Sequence, residues 1–184
     1  PGEYASCPYF WPIGNRYIFL FFSHTTGSQY LLGDYNKEEH CFYPTFHGRF
    51  NFMSFLPGGV HAPSATSDGK GGVIVIHNMH TGKKSPGWRG ITTLPRKLTL
   101  DKCDTINIQP YGDYKSLRTH HQHIDKTHLP ANKEIIIDNI QGNALEIKAE
   151  INIKSSPMIE MNVLRSPDKE EFTSIKFFKD RGVD

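Results

Sequence analysis

The amino-acid sequence predicts an all-β chain in two modules, and three observations lead there. Short β-branched and aromatic runs recur roughly every ten residues between turn-forming residues. No stretch keeps its apolar residues at helical spacing. Glycine and proline are frequent, 16 and 12 of them, which suits many tight turns and disfavours long helices. By pattern alone the first part is a sandwich, a barrel or a propeller.

The elements follow in order. Tyr17 to Phe22 is aromatic and β-branched and comes after the turn pair Gly14-Asn15; Gln29 to Leu32 follows Thr26-Gly27. Val73 to Ile76 follows the glycine-rich Gly69-Lys70-Gly71-Gly72. Ile91 to Leu94 and Lys97 to Leu100 flank Pro95-Arg96, and Ile106-Asn107-Ile108 alternates. A break falls over about Leu117 to Pro130, which is polar, lacks alternation and reads as a linker. Beyond it, Glu134 to Ile137, Ala144 to Ile153, Met158 to Leu164 and Phe172 to Phe178 alternate apolar with polar residues. Alternation with period two is the mark of a half-buried strand. About four strands are fewer than a closed sandwich uses, so the second module reads as incomplete.

Composition narrows the partners. At 184 residues the chain makes one domain or two small ones. Basic and acidic side chains number 21 and 19, a balance that gives no reason to expect nucleic acid or an acidic membrane surface as a partner. The longest apolar run, Tyr17 to Phe22, is far below the ~20 residues that span a bilayer. Cys7, Cys41 and Cys103 form no Cys-x-x-Cys pair, which excludes a zinc knuckle or a thioredoxin-like site. They read as buried or free thiols.

Several constellations invite chemistry. Tyr4, Tyr9, Phe10, Trp11, Tyr17, Phe19, Phe21 and Phe22 read mostly as core, with a sugar-stacking wall as the functional alternative. His120, His121, His123 and His128 have spacings that suit a metal, but no cysteine lies near and the only close carboxylate is Asp125; a solvated linker is the expectation. Gly69-Lys70-Gly71-Gly72 lacks the Gly-Lys-Ser/Thr of a phosphate loop and reads as a hairpin turn. Glycoside hydrolysis needs two carboxylates, and the candidates in the aromatic part are Glu3, Asp34 and Asp68. Asp68 reads as a turn residue and Asp34 as a strand-end residue.

Cys7-Pro8-Tyr9-Phe10-Trp11-Pro12-Ile13-Gly14, Leu20-Phe21-Phe22-Ser23-His24 and Gln29-Tyr30-Leu31-Leu32-Gly33-Asp34-Tyr35 occur in order. Then come His61-Ala62-Pro63-Ser64, Gly87-Trp88-Arg89-Gly90, Thr93-Leu94-Pro95-Arg96, Gln109-Pro110 and Ser116-Leu117-Arg118. This series resembles glycoside hydrolase family 32, the invertase, inulinase and levanase family, closely over about residues 3–118. The resemblance implies the later blades of a five-bladed β-propeller over 1–118, a linker over 119–130 and the start of a β-sandwich over 131–184. It implies hydrolysis of β-fructofuranosyl bonds in sucrose, inulin or levan with retention, by an Asp nucleophile and a Glu acid/base, with no metal and no cofactor. It also implies a secreted or vacuolar protein. His61 and Trp88 are expected to line the sugar pocket.

The departures matter equally. The family's nucleophile motif Asn-Asp-Pro and its Arg-Asp-Pro motif occur nowhere in the chain. Ser6 stands directly before the Cys-Pro step, where the family places its acid/base glutamate. Glu3 is therefore the candidate acid/base, although in a plain strand Glu3 and Ser6 face opposite ways and a bulge or turn must redirect one of them. Without the nucleophile the chain alone is expected to be nearly inert. Open blades would expose sheet faces and edges and favour aggregation. The alternative reading is a non-catalytic carbohydrate-binding or degenerate propeller protein, which Ser6 favours; an inactive truncated product is a third.

Overall fold

The protein is described from a computed structural model, which describes residues 5–50, 59–180 and 182–183, with backbone alone at 80–85, 89 and 182–183. All regular structure among them is β apart from a short 3-10 turn at Tyr114–Leu117, and every strand pairing is antiparallel. The chain divides into two compact units, Pro1–Ser116 and Leu117–Asp184.

The first unit begins with a four-stranded meander, β1 (Ser6–Ile13), β2 (Arg16–Ser23), β3 (Gly27–Asn36) and β4 (Cys41–Arg49), paired in that order. Strand β2 explains its character. Ile18, Leu20 and Phe22 point to one face and are buried, while Tyr17, Phe19 and Phe21 point to the other and are half-buried. A second sheet follows: β5 (Val60–Ser67), β6 (Val73–Ser85), β7 (Trp88–Thr92), β8 (Arg96–Leu100) and β9 (Ile106–Pro110). β5 lines one side of β6. β8 and β7 lie end to end along its other side, β8 opposite Val73–Val75 and β7 opposite Asn78–His80. The break between them carries Pro95, which has no N–H to give a ladder. There the Thr93 hydroxyl accepts from the His77 amide at 3.1 Å, and the Thr93 amide donates to the His77 carbonyl at 2.8 Å.

The two sheets pack face to face. Ile13, Ile18, Leu20 and Leu32 of the first meet Val73, Val75 and Leu98 of the second, with Trp11, Tyr30 and Phe50 around them. Two hydrogen bonds cross this junction: Trp11 Nε1 donates to the Ala65 carbonyl at 3.2 Å, and the Gly14 amide to the Gly71 carbonyl at 2.8 Å. Arg16 adds ion pairs to Asp34 at 2.8 Å and to Asp104 at 2.5 Å.

The glycine-rich stretch is a turn, as its composition predicts. Asp68 Oδ1 accepts from the amides of Lys70 and Gly72, both at 2.7 Å, and Gly69 and Gly71 take φ of 71° and 87°, which L side chains rarely adopt. Strands at 17–22, 29–32, 73–76, 97–100 and 106–108 all form. β1, β4 and β5 went unpredicted; each carries a proline inside it, and prolines belong to edges and bulges in sheets.

The aromatic cluster is core only in part. Among its described members Phe22 is buried, and Tyr9 and Trp11 are half-buried and pack against the core from the inner face. Phe10, Tyr17, Phe19 and Phe21 lie on the outer face of the first sheet, where rings stack on one another, with Phe10–Tyr17 centroids 5.2 Å apart and Phe19–Phe21 5.6 Å. The cysteines are free and exposed.

The second unit carries one three-stranded sheet, β10 (Met158–Val163), β11 (Thr173–Phe178) and β12 (Gly182–Val183). The alternation at 158–164 and 172–178 produces strands. Glu134 to Ile137 and Ala144 to Ile153 do not form them, contrary to expectation, and 118–157 holds no strand. Alternation makes a segment fit to pair, but a strand also needs a partner for its ladder, and among the described residues none is aligned with these. The segment is tied by ion pairs instead, Arg118 to Glu146 and Lys169 to Glu134. The Lys169 ammonium holds the Glu134 carboxyl below its ordinary range.

Candidate functional site

The sequence-derived site residues gather unequally. Glu3 lies outside the described residues, as does Tyr4 of the aromatic cluster. Ser6 opens β1 directly across from Phe22 on β2, so both side chains face the same way. The Phe22 ring stands 5.3 Å from the His61 ring and 4.8 Å from the His24 ring. Ser6, Phe22, His24 and His61 therefore mark one end of the first unit, where β1 and β5 begin.

Two irregularities shape this end. β1 carries an extra residue between Ser6 and Tyr9, with Cys7 at φ 51°. This bulge lies downstream of Ser6 in the chain. β5 carries another, between His61 and Pro63, with Ala62 at φ 43°. A bulge bends the strand and re-aims the adjacent side chain, here His61.

Behind His61 lies His77 on β6, 1% exposed and 5.0 Å from the Phe50 ring. Neither ring nitrogen has a hydrogen-bond partner among the described residues. Burial holds the imidazole down at about 4, reinforced by the charges of Arg96 and His61. His77 is thus a neutral ring at neutral pH. Sequence reading missed it, because a histidine at the end of the run Val73 to Ile76 shows no spacing that marks it.

Trp88 stands elsewhere. Pro86-Gly87 makes the loop between β6 and β7, with Gly87 at φ 81°, the conformation a proline–glycine turn requires. Trp88 follows it and is 49% exposed. His61 faces Asn78, Asn78 faces Thr92, and Trp88 lies further along β7. At about 4.8 Å per strand and about 3.3 Å per residue, the Cα atoms of His61 and Trp88 are roughly 16 Å apart.

The two candidate carboxylates that are described, Asp34 and Asp68, have structural partners. Asp34 pairs with Arg16. Asp68 pairs with Lys97 at 2.6 Å, and that bond, with those from the Lys70 and Gly72 amides, holds it down at about 2. Asp68 is not poised as an acid. His120, His121, His123 and His128 are exposed, and among the described residues no three metal-ligating side chains converge.

No known family's sequence profile matches this chain, and no curated protein does either. Solved structures do resemble it. One is a glycoside hydrolase family 32 β-fructofuranosidase of Bombyx mori, a mutant in complex with sucrose: TM-score 0.53, 21% identity, covering 65% of this chain and 28% of that one. Another is a glycoside hydrolase family 32 structure from Bifidobacterium adolescentis: TM-score 0.48, 15% identity, covering 61% of this chain and 19% of that one. The chain thus spans less than a third of either protein. Over about two-thirds of its own length it has the fold of part of a family 32 glycoside hydrolase.

Proposed function

We propose that this chain is part of a glycoside hydrolase that cleaves β-fructofuranosyl bonds, of the sucrose, inulin or levan type, by a retaining two-carboxylate mechanism. The observation that carries the reading is the likeness of fold to the Bombyx mori enzyme, and the ordered motifs from Cys7-Pro8 to Ser116-Leu117-Arg118 add to it. The two sheets of the first unit are then successive propeller blades, and the second unit opens a sandwich.

Within that reading Glu3 protonates the leaving glycosidic oxygen, and the nucleophile comes from outside this chain. Glu3 precedes Ser6 by three residues, a chain length that spans at most about 10 Å, and Ser6 shares the Phe22 face with His61. His61 lines the pocket beside the scissile bond. Trp88, exposed on its turn and roughly 16 Å away, stacks on a different ring of the substrate. Stacking needs a free aromatic face, which its exposure supplies.

The test is E3Q in the complete protein. Sucrose turnover is expected to fall by roughly 10²- to 10⁴-fold, with a much smaller loss on a fructoside whose leaving group needs no protonation. Unchanged turnover would remove Glu3 from the mechanism.

A second reading is a carbohydrate-binding protein without turnover, and Ser6 favours it. There the complete wild-type protein binds fructan without cleaving it, and S6E gains hydrolysis.

A further inference from the structure

Building on the carbohydrate reading above, we infer that His24 is a second sugar-binding imidazole, which hydrogen-bonds a hydroxyl of the same sugar unit that His61 lines.

The two imidazoles meet at Phe22. That ring is buried, and it stands 4.8 Å from the His24 ring at an interplanar angle of 73° and 5.3 Å from the His61 ring at 50°. Edge-to-face contact at such a distance is the arrangement that ring pairs favour, and it orients the imidazole. Two rings that both touch a third are no more than about 10 Å apart, a gap that one sugar ring closes with a hydrogen bond of about 2.8 Å on either side. A neutral imidazole carries one donor and one acceptor, and a sugar hydroxyl both gives and takes a hydrogen bond. Ser6, opposite Phe22 on β1, completes the same end of the sheet.

The turn from β2 to β3 is braced beneath His24. Gly27 takes φ 78° where the chain enters β3. Ser23 is buried, and its hydroxyl oxygen accepts from the amides of Thr25 at 3.1 Å and Thr26 at 3.3 Å. Gln29, 1% exposed, donates from Nε2 to Thr26 Oγ1 at 2.7 Å, and its Oε1 is 2.6 Å from His47 Nε2. A buried amide is costly unless its polar atoms are bonded, and both ends of this one are engaged. His47 in turn stacks on Phe21. The turn is thus tied to β2, β3 and β4 by side chains, the kind of support that holds a ligand-binding group in place. Of its two exposed residues, Thr25 is bonded back onto Ser23 at 3.0 Å, and His24 stands on Phe22.

The test is sucrose hydrolysis by the complete protein carrying H24F or H24Q. H24F keeps a ring against Phe22 and removes both nitrogens; H24Q keeps a hydrogen-bonding group. H24F should raise KM about tenfold with kcat nearly unchanged, the loss of one ground-state hydrogen bond. H24Q should recover most of that loss, and neither variant should lower the melting temperature. If the wild-type protein binds fructan without cleaving it, the same comparison is read in the dissociation constant. An unchanged KM, or dissociation constant, in H24F would overturn this inference alone. Equal losses in the two variants would also overturn it, because His24 would then serve by packing. A complete wild-type protein that neither binds nor cleaves sucrose or fructan would overturn the carbohydrate reading itself, and His24 with it.

Discussion

Acidification is a sharp probe of the sheet junction, because His77 is buried there as a neutral ring. Its pKa falls from an ordinary 6.5 to about 4 in the fold. The unfolded chain therefore takes up a proton at His77 before the folded chain does. Stability is full above pH 6.5, declines as the pH falls, and levels out below about 4, where both states are protonated. Each pH unit in that window costs about 1.4 kcal/mol, so the whole loss is about 3 kcal/mol. Asp68 acts below this window, since its stabilisation is present above its ordinary 3.8 and is lost as the pH falls toward about 2. The assay is denaturant unfolding at pH 7.5, 6.5, 5.5 and 4.5, followed by tryptophan fluorescence. Both tryptophans lie in the first unit, and half-buried Trp11 bridges its two sheets. H77L should flatten the pH dependence between 6.5 and 4. It should also be no less stable than wild type at pH 7.5, since it removes two buried nitrogens without partners. An equal acid loss in H77L and wild type would refute the reasoning.

Other substitutions test other joints. T93V removes the acceptor for the buried His77 amide and should lower stability by about 1–2 kcal/mol in denaturant unfolding, with T93S restoring it. L20A opens a cavity at a fully buried position and should cost about 2–5 kcal/mol. D68N keeps an acceptor for the turn amides but loses the charge facing Lys97. Its deficit in melting temperature should be plain at pH 5 and shrink as the pH falls from 3.8 toward 2.

Much of the fold was legible because local chemistry and tertiary demand agree in it. Tyr17 to Phe22 alternates ring sizes and branching on a two-residue period, and β2 buries its even-numbered members as that period requires. The turn at Asp68 was equally plain, since its carboxylate and glycines determine its geometry locally. Prolines hid β1, β4 and β5. The strands expected at 134–137 and 144–153 failed because sequence reports fitness to pair while a ladder also needs a neighbour. The aromatic run was read as core because large rings usually are; most of its described rings sit on the outer face of a sheet whose inner face is filled by Ile18, Leu20 and Leu32. At the site, motif order brought out Ser6 and His61, and the structure adds that Phe22 joins them. It separates Trp88 from them, a distance that follows from strand register and that no one-dimensional spacing contains. His77 escaped notice because its chemistry comes from what surrounds it.

The two ends of β6 serve different neighbours. Its first residues carry Val73 and Val75 into the core and pair with β8. Its last, Ser85, faces Trp88 across the turn into β7. The indole thus sits at the far end of the strand from the core contacts of Val73 and Val75. Adding or deleting a two-residue step on both strands beside the turn would carry the indole by about 7 Å while leaving those contacts and every face assignment unchanged. The reach of this side chain is thus a variable that insertions can tune without renegotiating the core.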